Sequence, residues 1–507
     1  NFTTNNVVKS LSVVFCCPME AFEIQRAYEE IWEGGGILFP FRNGYERLSL
    51  LLDVLPNEAW RHDEAVLGGL VLYLLKNGQV ARAKSYLRAR NLLFEKTYRH
   101  EFLELLVALH LGERVSENKM TIWRRLERKL PLQDMLLLGL YYNAMMAMLV
   151  RIGNLEDARG AGQQAISCFR EERHSYLEHF IHIHLADIDV IEGQLRRALR
   201  GLSAAERCLA QSGVAYGNEV EVIEVIRLAV GYERGEFAKV SDQSVRLRES
   251  LLKGDSWSEL FFQLARICIL STYFSKGLLA AQHELELFHA DYVRRHAGRA
   301  TTVDVLLAMI WRLEWNPDES VQALEALNDV DIHSAIGKIL ETEQRFWLNG
   351  SKPIEKPTPR SKIVTNLQHA QSSKGRARRD ALERALQLAF KEGQIAPFLE
   401  HRDALLGMSS QIKLLPSVRR NPMFLRMVNV VLKSVEQSYV VPKSLRKIGI
   451  NRRQYRIAVA LQSGAKNKKI ARQLGITEAT VKYHLTSLYR LTGVSKRSEF
   501  IDFMNKN

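Results

Sequence analysis

The sequence predicts an all-α fold, a superhelical solenoid of helical hairpins followed by one small, separate helical domain. Three observations carry this reading. An apolar helical stretch, a glycine or asparagine turn and a second helix with small residues recur along most of the 507 residues. Almost no strand signal accompanies them. Charge is concentrated at one end: from Lys443 to Asn507 there are fifteen Lys and Arg against three acids (Glu478, Glu499, Asp502), or +12. The remaining 442 residues carry 56 basic against 54 acidic groups, or +2 of the total +14. A neutral body with a basic tail implies a polyanionic partner for the tail alone.

Taken in order, residues 1–60 read as N-terminal helices leading into the repeats. The opening "NFTTNNVVKSLSVVFCC" lacks the basic start of a secretory signal. The absence of an initiating Met is what a truncated or processed N-terminus gives. Residues 61–348 form the repeat domain. The pattern reads "LYLLKNGQVARAKSYL" at Gly78, "LVALHLGERV" at Gly112, "AMLVRIGNLEDARGAG" at Gly153, "DIDVIEGQLRRALRGL" at Gly193 and "AVGYERGEFAKV" at Gly235. Weaker copies are "STYFSKGLLAAQ" at Gly277 and "WRLEWNPDESVQAL" at Asn316, so the spacings are 34, 41, 40, 42, 42 and 39 residues.

Glycine suits a left-handed turn between two antiparallel helices, and alanine lets the helices approach closely. One such hairpin cannot bury its apolar face, so seven should stack into a superhelix. The period exceeds the usual tetratricopeptide spacing, which makes these repeats tetratricopeptide-like. Cys168 and Cys208, 40 apart, fall in the same small-residue slot and read as packing residues. Residues 349–364 are expected to be a linker, because "NGSKPIEKPTPRSK" sets three prolines among lysines and serines. Residues 365–440 read as a capping hairpin and a connector, and 443–507 as the basic domain.

That domain contains "NKKIARQLGITEATVKYHLTSLYRL". Ile470, Ala471 and Leu474 make one apolar stripe on a helix beginning near Asn467. Gly475 permits a turn, Ile476 fills the space between helices, and Thr477 caps the next helix with Glu478 in its first turn. Val481, Leu485, Leu488 and Leu491 share a side, which leaves Ala479, Lys482, Tyr483, Thr486 and Arg490 outward. A helix-turn-helix needs this arrangement: one helix braces while the second offers small, polar and cationic side chains to the major groove. Lys466, Lys468 and Lys469 at the start of the bracing helix are placed for phosphate.

The stretch "GAKNKKIARQLGITEATVKYHLTSLYRLTGVSKRSEFI" closely resembles the LuxR-type (GerE-type) helix-turn-helix. The match rests on Gly464, Ile470–Ala471, Leu474, Gly475–Ile476, Thr480–Val481–Lys482, His484, Gly493–Val494, Arg497 and Glu499. The resemblance implies double-stranded DNA as partner, with Tyr483 and Thr486 facing base edges and Lys482 reaching base or backbone. It extends the expected DNA-binding set to Lys466, Asn467, Lys468, Lys469, Thr477, Thr480, Lys482, Tyr483, Thr486, Arg490, Lys496 and Arg497. Departures lie at Arg453–Gln454–Tyr455–Arg456–Ile457, in place of an acidic pattern, and at Lys469, where Glu is common. Both add positive charge and with it sequence-independent affinity. His484 reads as a core-edge histidine.

The body resembles, more loosely, the helical-repeat sensor of MalT-like regulators. "LLDVLPNEAWRHDEAVLGGLVLYLLKNGQVARA" carries the opening repeat and "ALQLAFKEGQIAPFLEHRDALLGM" the final segment. That family places an ATP-binding domain before the repeats, and no GxxxxGK[ST] loop occurs here. Either that half was cut away or this is a shorter regulator without it.

The five scattered cysteines hold no CxxC pair, so neither a zinc site nor a disulfide framework is suggested. The vicinal pair Cys16–Cys17 is the redox-sensing alternative. No apolar run approaches membrane-spanning length, and no nucleophile–base–acid set is legible. His174, His179, His182 and His184 do not share one helical side, and Met145, Met146 and Met148 read as core. The expectation is a cytoplasmic bacterial transcription regulator, not an enzyme, with no cofactor or metal. Its partners would be DNA, RNA polymerase, and a small-molecule, peptide or protein effector on the repeats, with pairing of two chains. The alternative is an interaction scaffold under a protein partner, its DNA-binding tail auxiliary.

Overall fold

A computed structural model describes residues 18–507 except 91–96, 112–115, 214–218, 252–257, 296–299, 315, 329–331, 333, 350–356, 406–407, 442, 463, 475 and 507. The described residues form helices and turns and contain no strand. The all-α expectation with a helical repeat-like body is borne out. The turn at Gly112, the pair Cys16–Cys17, Pro442 and Gly475 lie outside the described residues. The chain divides into two compact units, Asn1–Ile181 and His182–Asn507.

The first unit holds α1 (Pro18–Glu33), α2 (Phe39–Asn43), α3 (Tyr45–Val54), α4 (Glu64–Lys76), α5 (Val80–Arg90), α6 (Tyr98–Leu111), α7 (Glu117–Leu126), α8 (Met135–Arg151) and α9 (Leu155–Glu171). Helix α4 starts where Asp63 Oδ1 accepts from the backbone N–H of Ala65 at 2.8 Å and Val66 at 2.9 Å. It ends at Gly78, whose φ of 71° is the left-handed conformation that the sequence pattern requires. Helices α8 and α9 pack closely along their length. The closeness depends on Gly139, because a Cβ there would lie 2.5 Å from the Phe169 ring. Met145, Met146 and Met148 are buried in this core.

The second unit begins within α10 (Ser175–Glu192). It continues with α11 (Leu195–Ser212), α12 (Glu219–Glu233), α13 (Phe237–Leu251), α14 (Ser258–Lys276), α15 (Leu278–Arg295), α16 (Thr301–Leu313), α17 (Pro317–Glu325) and α18 (Ala335–Asn349). Helices α12, α14, α16 and α18 pack each on the next, while α13, α15 and α17 each pack on the helix before them in their own hairpin. This is stacking of successive hairpins. Gly193, Gly235 and Gly277 turn at φ 81°, 84° and 96°. Asn316 departs from the expected left-handed turn. Its φ is −106°, and it stands as the N-cap residue of α17, because Pro317 at the first helical position fixes a helix start there. Cys168 and Cys208 are buried, as the small-residue slot requires.

Beyond the hairpins come α19 (Pro359–Ser372), α20 (Gly375–Glu392), α21 (Ala396–Glu400), α22 (Ser409–Lys413), α23 (Pro416–Arg419) and α24 (Pro422–Gln437). Here the expected linker 349–364 is corrected: α18 runs through Asn349, and α19 starts at Pro359. The Thr358 Oγ1 accepts from the Ser361 N–H at 3.1 Å, and Pro359 sits where a helix tolerates proline. The third proline of "KPIEKPTP" therefore opens a helix. Helix α19 then pairs with α20, so the capping hairpin is α19–α20.

The residue after that proline, Arg360, is fully buried in a charged cluster. Its Nε lies 3.0 Å from Glu233 Oε1 and its Nη1 3.3 Å from Glu343 Oε1, and Nη2 pairs with Glu400. Arg266, also fully buried, pairs with Glu233 and lies 3.3 Å from Glu400 Oε1. The Tyr232 hydroxyl donates to Glu400 Oε1 at 2.7 Å. Five helices (α12, α14, α18, α19 and α21) thus meet through charge, where an unpaired group would be costly. Burial raises the Glu400 pKa, but Arg360 and Arg266 outweigh it and hold the carboxyl down to about 2. Among the described residues no helix is long and apolar enough to cross a membrane.

Candidate nucleic-acid interface

The basic end folds as α25 (Lys443–Lys447), α26 (Arg452–Gln462), α27 (Asn467–Leu474), α28 (Glu478–Thr492) and α29 (Arg497–Lys506). One apolar core joins them, with Ile457, Leu461, Ile470, Val481, Leu488 and Phe500 buried and Ile476 packed against it. Each helix start has its own local cause. Asn451 Oδ1 accepts from the Gln454 N–H and Gln454 Oε1 from the Asn451 N–H, both at 3.0 Å, a reciprocal capping box for α26. Thr477 Oγ1 accepts from the Thr480 N–H at 3.1 Å, as the sequence suggested, and Glu478 complements the first turn. Glu499 Oε2 accepts from Ser495 N–H at 3.0 Å and Lys496 N–H at 3.1 Å before α29, which lowers its pKa.

These contacts fix α28 with Val481, Leu485 and Leu488 inward and its other face in solvent. Lys482, Tyr483, Thr486 and Arg490 are exposed together on that outward face, and Tyr483 is 72% exposed. The Thr486 hydroxyl donates to the Lys482 carbonyl at 3.1 Å, and the Thr480 and Thr477 hydroxyls share a 2.8 Å bond. Lys466, Lys468 and Lys469 are exposed at the start of α27, and Lys496 is exposed before α29. Arg497 is half-buried: it donates to the Ala465 carbonyl and to Asn467 Oδ1 at 3.3 Å, so both side chains brace the turn into α27. His484 is half-buried beside Tyr483, and burial followed by the nearby Arg453 lowers its pKa.

Five short helices around one core, with a capped fourth helix whose outer face is polar, cationic and aromatic, match a helix-turn-helix. The profile of the "Bacterial regulatory proteins, luxR family" (GerE) matches residues 450–504. Residues 450–504 are a LuxR-type helix-turn-helix domain.

The LuxR-type domain is joined to the repeats by a contact that the sequence did not reveal. Arg402, buried after α21, lies 3.9 Å from the Tyr439 ring centroid and 5.5 Å from that of Tyr273 on α14. Its Nη2 donates to Tyr273 Oη at 2.8 Å and to the Leu313 carbonyl at 2.9 Å, and its Nη1 to the Ser438 carbonyl at 3.2 Å. Arg456 of α26 stands 4.4 Å from the same Tyr439 ring. Glu314, Tyr455 and Val459 line the small crevice between these groups. Burial raises the Tyr455 and Tyr439 pKa values. Two guanidiniums on one tyrosine therefore link body, connector and reader. The only sequence signal was an apolar "SYVVP" where a connector should be polar.

Proposed function

We propose that this chain is a DNA-binding transcription regulator. In this reading α28 enters the major groove with Lys482, Tyr483, Thr486 and Arg490 toward base edges. Lys466, Lys468, Lys469, Thr477, Thr480 and Lys496 meet phosphate, while Arg497 and Asn467 hold the turn that aims them. The repeat body takes a small-molecule, peptide or protein effector, and pairs of chains present two readers to two half-sites. The junction at Tyr439 carries the body's state to α26, since Arg402, after α21, and Arg456, on α26, both face its ring. RNA polymerase is the expected downstream partner.

The single observation that supports this most is the open outer face of α28 within residues that match the LuxR-type profile. The test is retention of genomic fragments by the whole chain and by its Lys468→Glu/Lys469→Glu variant across a salt series. The reading expects selected fragments and a loss of at least tenfold for the variant, with a shallower salt dependence. Equal, weak retention of all fragments by both proteins contradicts it.

A further inference from the structure

The last long helix before the reader has two sides of different chemistry. Helix α24 turns Phe424, Val428, Val431 and Val435 inward. The helix packs on α20, α21, α22 and α23, with the Phe424 ring 5.0 Å from that of Phe390. The opposite side, at alternating spacings of three and four residues, presents Met423, Arg426, Val430 and Lys433. All four are exposed, Met423 at 61% and Val430 at 48%.

An exposed Met or Val alone needs no explanation. Here they alternate along one line with cations that no acid of the chain neutralises. Residues 413–437 hold five basic residues (Lys413, Arg419, Arg420, Arg426 and Lys433) against one acid, Glu436. None of the five has an ion-pair partner among the described residues, and Glu436, three residues after Lys433, does not pair with it. Elsewhere on the surface, cations stand beside carboxylates. Arg227 meets Glu206 and Glu224, Lys239 lies 3.2 Å from Glu236, and Lys276 lies 2.8 Å from Asp242.

We infer that this outer face of α24 is a docking surface for an acidic, amphipathic helix of another protein. Apolar side chains of the partner cover Met423 and Val430, and its carboxylates pair with Arg426 and Lys433. From Met423 to Lys433 the face runs about 15 Å, about three helical turns, which suits a short helical segment. The alternation of apolar and cationic groups selects the occupant. Phosphates give Met423 and Val430 nothing to bury against, so DNA fits the cations alone. A membrane-lying helix separates its apolar side from its charges, and the fully apolar side of α24 is already buried. A second copy on the same face would set Arg426 and Lys433 against like charges. The face lies outside the hairpins and outside residues 450–504, so the inference stands apart from the DNA-binding reading. Ser438 and Tyr439, directly after α24, are held by Arg402, so the occupant sits on the helix that ends at the junction.

The test uses the whole chain and a labelled synthetic peptide of about 16 residues, roughly four turns, with Leu along one stripe and Glu flanking it. A scrambled peptide of the same composition is the reference. Fluorescence anisotropy should show the patterned peptide bound at least tenfold more tightly than the scrambled one, with affinity falling as salt rises. Met423→Ser/Val430→Ser and Arg426→Glu/Lys433→Glu should each weaken it about tenfold. A peptide with Lys in place of Glu should bind the charge-reversed variant better than the wild type. Equal binding of the patterned and scrambled peptides, or no loss in either variant, overturns the inference. With the patterned peptide not preferred, two further results name the true occupant. Weaker retention of duplex DNA or phosphatidylserine vesicles by Arg426→Glu/Lys433→Glu assigns the face to DNA or lipid. A dimer in sedimentation that Met423→Ser/Val430→Ser dissolves assigns it to a second copy. All four side chains are exposed, so matching thermal melts verify that folded proteins are compared.

Discussion

Thr477, the N-cap of α28, and Tyr483, six residues on, do different work. The Thr477 hydroxyl satisfies a backbone donor at the helix start, so Thr477→Ala should destabilise the chain's reader by about 1 kcal/mol in urea unfolding followed at the Tyr-rich α28. Tyr483, 72% exposed, has only an edge contact with the neighbouring His484 ring to lose. Tyr483→Ala should leave stability unchanged and reduce discrimination among fragments by about 1–3 kcal/mol, with the salt slope intact. A parallel loss on every fragment would make Tyr483 a backbone contact instead. Asp187 gives a separate residue-scale prediction. Burial raises its pKa from 3.8 to about 7, against the Gln263 amide at 2.9 Å and the charge of Arg266. The folded chain therefore retains a proton that the unfolded chain releases, and stability falls as pH rises from about 4 to 7. Asp187→Asn keeps the acceptor for Gln263 and should raise the melting temperature at pH 8, with the difference vanishing near pH 4.

At the scale of elements, the charged cluster binds helices far apart in sequence. Removing one partner strands the others in a buried interior, so Arg360→Ala should cost about 3–5 kcal/mol in denaturant unfolding. Glu400 supplies the pH sign. Its carboxyl is depressed to about 2, so its contribution is complete above the usual carboxylate range and disappears as pH falls toward 2. An Arg360→Ala protein with wild-type stability would show that the cluster is dispensable. The hairpins and the reader were legible because their causes are local. Gly78, Gly153, Gly193, Gly235 and Gly277 turn with positive φ, and Thr477 caps its own helix. The cluster was illegible because Glu233, Arg266, Glu343, Arg360 and Glu400 meet only after folding. Arg266 inside "FFQLARICIL" was the one charge in an apolar run that hinted at it. The prolines before Arg360 misled in the same way: their spacing resembles a linker, and only packing decides that the third begins α19.

At the scale of the whole molecule, Arg402, Tyr439 and Arg456 join the near-neutral repeats to the basic domain. Tyr439→Ala removes the ring that both guanidiniums face. Limited proteolysis should then cut between α24 and α25 at least tenfold faster, with the reader's own fold retained. Unchanged cleavage would separate the junction from any coupling role. Whether α28 selects DNA sequence is decided by footprinting of genomic fragments bound by the whole chain, repeated with Lys482→Ala/Tyr483→Ala. Discrete protected sites are expected for the wild type and their loss in the variant, with salt-sensitive background binding retained. Identical sites protected by both proteins would contradict the assignment of α28 as the element that reads sequence.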